Sequence, residues 1–200
     1  MINSFCKEFS VGEVFTMGLE EIVKKEYVEN DNTLCFKTTS VAKVIVLSIL
    51  SGGIYDIIWA FNLWRTLRDN FGYKVSPFWR GLFLALTNSK MFSIIDKYAQ
   101  NFNIRLPYAN LLAVLYLVFC FVSNRLNFKI LMLDKTDWTL EIASWTLVIL
   151  SAFIVAFVQH KINKVNETAY PDAPKNTWKV SNTVWSIIFI VLNVLAYIPA

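Results

Sequence analysis

The fold class this sequence predicts is all-α, a polytopic helical membrane protein. Three observations lead there. Hydrophobic residues make up 56% of the chain and charged residues only 17%, against roughly 45–50% and about 25% in ordinary proteins. The apolar residues are bunched into long runs, without the polar stripe a surface helix would show. Three of those runs carry no charge over close to the ~20 residues needed to cross hydrocarbon.

The chain opens with a polar tail, residues 1–40. Its first 30 residues lack the continuous apolar stretch of a secretory signal. Phe15, Leu19, Ile22, Val23 and Tyr27 are spaced as one face of an amphipathic helix. The acids around it (Glu20, Glu21, Glu26, Glu29) favour docking on protein over an anionic lipid surface.

A helical membrane domain occupies residues 41–200. Its first segment, 41–64, reads VAKVIVLSILSGGIYDIIWAFNLW and supports two structures. As one tilted span it places Ser48, Gly52, Asp56 and Ala60 at steps of four, a small, polar face suited to close helix approach. As a re-entrant hairpin it turns at Gly52-Gly53, where glycine supplies the backbone freedom. The arm 41–51 is then too short to cross about 30 Å of hydrocarbon at about 1.5 Å per residue. Residues 77–96 form an interfacial or partly buried helix. Ser76 and Pro77 suit its start, but Lys90 at the centre of a span would cost about 2.5–3.5 kcal/mol. The three firm transmembrane helices are 106–124, 141–159 and 182–198.

Basic residues give the orientation. Segment 65–105 holds seven Lys/Arg against Asp69 and Asp96, and 159–181 holds four Lys. The connector 124–141 has three basic residues balanced by three acids. Two spans separate the basic segments, so both are expected on the cytoplasmic side. A spanning first segment puts the tail outside; a hairpin puts it inside, which is the reading favoured here. The net charge of +4 is accounted for by these segments and calls for no nucleic acid.

Chemistry-bearing constellations are scarce. His160 is the one histidine and has no metal-ligand partner at a recognisable spacing. Cys6, Cys35 and Cys120 are unrelated in spacing. No phosphate loop, HExxH or GxSxG is present. Neither an enzyme site nor a cofactor is expected. The candidate intramembrane polar and packing residues are Asp56, Gly52, Gly53 and Ser48. An ionisable group at membrane depth is a functional hypothesis by default. A carboxyl in a polar crevice or bend beside the glycines nevertheless outweighs a catalytic acid, because nothing nearby supplies chemistry. Candidate interface anchors are Trp59, Trp64, Arg68, Trp79 and Arg80. Trp64 and Arg68, four apart, are expected to stack.

The run from Val41 through Arg68, followed by "VSPFWRGLF", resembles an uncharacterised family of bacterial multi-pass inner-membrane proteins. The matching positions are Gly53, Ile54, Tyr55, Trp59, Trp64, Pro77, Phe78, Trp79 and Arg80, and "INKVN" at 162–166 is also similar. The likeness covers roughly residues 38–200. It departs at "AFNLW", where the family pattern has an aromatic-Lys-Asn-Trp run, and in the loop after "INKVN". It implies the inner membrane and no stated activity. Three classes of function follow: an interaction or scaffolding component, a small transport or channel component, or a lipid- or quinone-handling enzyme. Scaffolding is preferred, since the others lack a repeat or an acid–base set. The partners expected are the lipid bilayer and a protein partner or second copy of the chain.

Overall fold

Helices account for the regular structure. The computed structural model of the protein describes residues 36–133, 137–169, 184, 186–189 and 191. In chain order the helices are α1 (Val41–Leu50), α2 (Ile54–Phe71), α3 (Pro77–Leu82), α4 (Leu84–Gln100), α5 (Ala109–Leu131) and α6 (Trp138–Ala169). No strand occurs among the described residues. Two helices, α5 and α6, are long and apolar enough to cross a membrane.

The 41–64 segment is not one continuous helix. α1 stops after 10 residues, and Gly52 (φ 59°) and Gly53 (φ 91°) both take left-handed backbone. The Gly53 N–H donates to Ser48 O at 2.9 Å and the Gly52 N–H to Ile49 O at 3.0 Å. These two bonds are the helix-ending pattern that a left-handed glycine permits. The Ser51 hydroxyl then accepts the Tyr55 N–H at 2.9 Å and starts α2. The chain doubles back: the rings of Phe36 and Phe71, at the far ends of the two arms, stack 5.2 Å apart. The single face of Ser48, Gly52, Asp56 and Ala60 is therefore corrected to a turn. A Cβ built on either glycine meets nothing within 4 Å, so both serve backbone conformation and not close helix approach.

Residues 77–96 also divide. α3 ends at Leu82, and Phe83 (φ −96°, ψ 39°) interrupts the helix. The Arg80 carbonyl, left without its helical donor, accepts the Thr87 hydroxyl at 2.7 Å. α3 lies so close to α2 that a Cβ on Gly81 would sit 3.1 Å from the Phe61 backbone. The apolar runs at 106–124 and 141–159 become longer helices with shifted ends. α5 begins only after Tyr108, a left-handed residue, and α6 continues to Ala169 because its last turns pack polar side chains against residues 36–39. The tail to residue 35 and most of 182–198 lie outside the described residues.

The core sits between α2, α4 and α6. It is built on Trp59, Leu63, Trp64 and Leu67, against Met91, Phe92, Ile95 and Tyr98, with Val155, Val158 and Ile162 behind. Phe36, Phe71 and Tyr98 close it as an aromatic triad with centroids 5.0–5.4 Å apart.

Candidate functional site

Three polar groups meet where the hairpin turns. Asp56 belongs to the first turn of α2 and is only 1% exposed. It accepts hydrogen bonds from the Ser48 hydroxyl of α1 and from the Tyr116 hydroxyl of α5 at 3.1 Å. Neither donor is cationic. Arg80 lies instead over the Trp64 ring at 4.6 Å. The first-turn position also suits a carboxylate, because the amino end of a helix favours negative charge. Asp56 thus joins three helices at one point, and its donors Ser48 and Tyr116 are both buried side chains.

A second polar cluster closes the other end of the hairpin. Gln159, Asn163 and Asn166 follow one another at i, i+4 and i+7 on α6, a spacing that places them on one face. Gln159 accepts the Trp59 indole N–H at 2.7 Å. Its amide donates to Lys37 O at 3.3 Å and to Asn163 Oδ1 at 2.8 Å. Asn163 satisfies both backbone groups of Thr39: Oδ1 accepts its N–H at 3.2 Å and Nδ2 donates to its carbonyl at 2.7 Å. Asn166 donates to Phe36 O at 2.7 Å and to the Thr38 hydroxyl at 3.0 Å. The extended stretch before α1, which has no sheet partner, is held by this amide ladder instead.

Between the two clusters the hairpin arms splay and leave a cleft. Lys37, Thr39 and Lys43 wall one side, and Tyr55, Trp59 and Asn62 the other, with Gln159 reaching in from α6. Among the described residues no carboxylate lines it. Among the described residues no three His, Cys, Asp or Glu side chains gather closely enough to hold a metal. Comparison with protein-family models, with curated proteins and with solved structures gives no match.

The residues singled out from sequence divide into those the fold brings together and those it separates. Ser48 and Asp56 meet, with Gly52 and Gly53 forming the turn between them. Trp59 and Trp64 are corrected from interface anchors to core: they are 4% and 0% exposed. The expected Trp64–Arg68 stack is also corrected. The Arg80 guanidinium lies over the Trp64 ring at 4.6 Å, because α3 folds back across α2. Arg68 turns to Asp69 at 2.9 Å. Trp79 is 58% exposed, with Phe83 stacked beside it. Gln159 and Tyr116 were missed. Three carboxamides at helical spacing in an apolar stretch, and a hydroxyl-tipped ring within a charge-free run, were the available signals.

Proposed function

We propose that the chain is an integral-membrane interaction or scaffolding component. It holds a re-entrant hairpin against two spanning helices, with 182–198 as a third crossing. The observation that carries insertion is the surface of α5: only 17% of its most apolar 18-residue window is buried. Leu111, Val114, Val118 and Phe121 run along its exposed side. A core helix of a soluble protein would bury such a face. The arms of the hairpin return to one level, which supports a tail on the same side as segments 65–105 and 159–181. By the excess of Lys and Arg that side is the cytoplasm, and the membrane is the inner membrane of a bacterium, as the family resemblance implies.

The scaffolding class is supported by the closure of Asp56. It is the one buried charged residue among those described, and its donors, Ser48 and Tyr116, are structural hydroxyls. A proton path or transport route needs such a group to reach water or substrate. The test is purification of the full chain in mild detergent, with mass spectrometry of everything that remains bound. A stoichiometric protein supports the proposal. A stoichiometric solute or quinone, with loss of cellular activity in Asp56→Asn at unchanged abundance, replaces it with transport or enzymatic chemistry.

A further inference from the structure

Large apolar side chains stand bare where α3 meets α4. Phe78, Trp79, Leu82, Phe83 and Leu86 are 45–71% exposed. The Trp79 ring lies 5.3 Å from that of Phe78 and 6.2 Å from that of Phe83, so the aromatics form one patch. The level of this patch is fixed by α4, which runs antiparallel to α5. Asp96 accepts the Leu106 N–H at 2.7 Å just before α5, and Asn88 donates to the Ala113 carbonyl at 3.1 Å. Ala113 is four residues into α5, about 6 Å at about 1.5 Å per residue. Leu84 precedes Asn88 by four residues and so lies about 6 Å further along the same line. The elbow thus stands about 12 Å along α5, near the level of Tyr116 and of the Asp56 it holds. Charge is graded in the opposite sense. Lys90 is exposed and falls about 3 Å from the start of α5. Arg80, the one cation of α3, reaches back over Trp64, two turns along α2 from Asp56 and towards that same start.

An apolar tip with cations drawn back towards the entry is the depth profile of one bilayer leaflet, and docking on a protein would not require it. The backbone at the elbow fits the same surroundings. The Arg80 carbonyl takes the Thr87 hydroxyl at 2.7 Å, and the Leu86 and Thr87 N–H groups both donate to Phe83 O at 3.0 and 3.1 Å. Lipid would supply no other partners for such a break. We propose that α3 and α4 form a second re-entrant hairpin, its tip at Leu82, Phe83 and Leu86 embedded among lipid acyl chains. This rests on the membrane reading above, and it sets the segment deeper than an interfacial helix. With Ala109 at the entry, about 12 Å reaches most of the way to the middle of about 30 Å of hydrocarbon. Lys90 then lies near the headgroups, where its ammonium reaches water. Val118, nine residues into α5 and 45% exposed, stands at a similar depth, so the patch extends the lipid-facing surface proposed for α5.

The experiment places an environment-sensitive fluorophore at one cysteine, Leu86→Cys, Lys90→Cys or Val118→Cys, in the full chain with Cys6, Cys35 and Cys120 changed to Ala. All three sites are exposed, so the label displaces no core packing. A thermal melt establishes that each labelled chain is folded, and Leu82→Cys replaces Leu86→Cys at the tip if that label lowers the melt. The chains are reconstituted in phosphatidylcholine vesicles carrying a nitroxide either near the headgroup or near the end of the acyl chain. The expected result is stronger quenching by the deep nitroxide at Leu86, as at Val118, and by the shallow one at Lys90. Iodide in the buffer should quench the Lys90 label more than the Leu86 label. Shallow quenching at Leu86, or iodide quenching there equal to that at Lys90, overturns the inference. A Leu86 label shielded from iodide and from both nitroxides overturns it in favour of a protein cover. Deep quenching at Val118 without it at Leu86 defeats this inference alone. Iodide access at both defeats the membrane reading beneath it.

Discussion

Asp56 shows how a single buried ionisable residue can be structural. Packing among helices in lipid lacks the hydrophobic drive available in water, so polar links between them gain relative weight. A carboxyl that joins Ser48, Tyr116 and its own helix start is such a link. Hydrogen bonds to charged groups contribute about 1.5–3 kcal/mol. Asp56→Leu, which strands two buried hydroxyls, should therefore lower the melting temperature in detergent clearly. Asp56→Asn, which still offers an oxygen and adds a donor, should lower it much less. Combining Asp56→Ala with Tyr116→Phe should cost less than the sum of the two by roughly 0.5–3 kcal/mol. Strict additivity would remove the link. In the sequence, Asp56 was visible as an anomaly and Ser48 as a helical neighbour. Tyr116 was hidden because it lies 60 residues away, and pairing at that separation leaves no local pattern.

The elements carry two further lessons, both about glycine. Gly52 and Gly53 are required by backbone angle, since space for a Cβ exists at both. Each change to Ala should cost about 1–2 kcal/mol, the penalty of left-handed backbone for an L-residue; differential scanning fluorimetry is the check. An unchanged profile would mean the turn is made some other way. Gly81 is the reverse case: its backbone is ordinary, but Phe61 fills the space. Gly81→Ala must push α3 from α2 and should cost about 1–3 kcal/mol. It should also weaken the Arg80–Trp64 contact, readable as a change in tryptophan emission. The hairpin was legible as one of two options in the sequence because a Gly-Gly pair inside an apolar run has few uses. The break at Phe83 was not legible. It follows from the crossing of α3 over α2, which tertiary packing decides and local propensity does not.

For the whole molecule, the long charge-free runs announced the helical class. Their exact lengths were not readable, because α6 runs past its apolar stretch on the strength of Gln159, Asn163 and Asn166. Those residues look like the wet end of a span until the segment they hold, 36–39, is placed beside them. The topology makes a direct prediction. On the proposed topology, in which the hairpin returns to its own side, an impermeant thiol reagent should leave Cys6 and Cys35 unlabelled in intact cells and label them after permeabilisation. Labelling in intact cells would place the tail outside and require a crossing between residues 35 and 65.

The contacts that hold the hairpin also set an order of events during synthesis. Asp56 waits for Tyr116, 60 residues later, and Trp59 waits for Gln159, 100 residues later. At about 5–20 residues per second, the first gap alone lasts roughly 3 to 12 seconds. Throughout that interval a ribosome-bound chain holds an acid with Ser48 as its one side-chain donor and an indole N–H without its acceptor. If the proposed membrane insertion holds, the hairpin remains at the membrane surface, or in the care of the insertion machinery, until α5 arrives. Residues 36–39 wait longest of all, since the α6 side chains that hold them lie more than 120 residues further on.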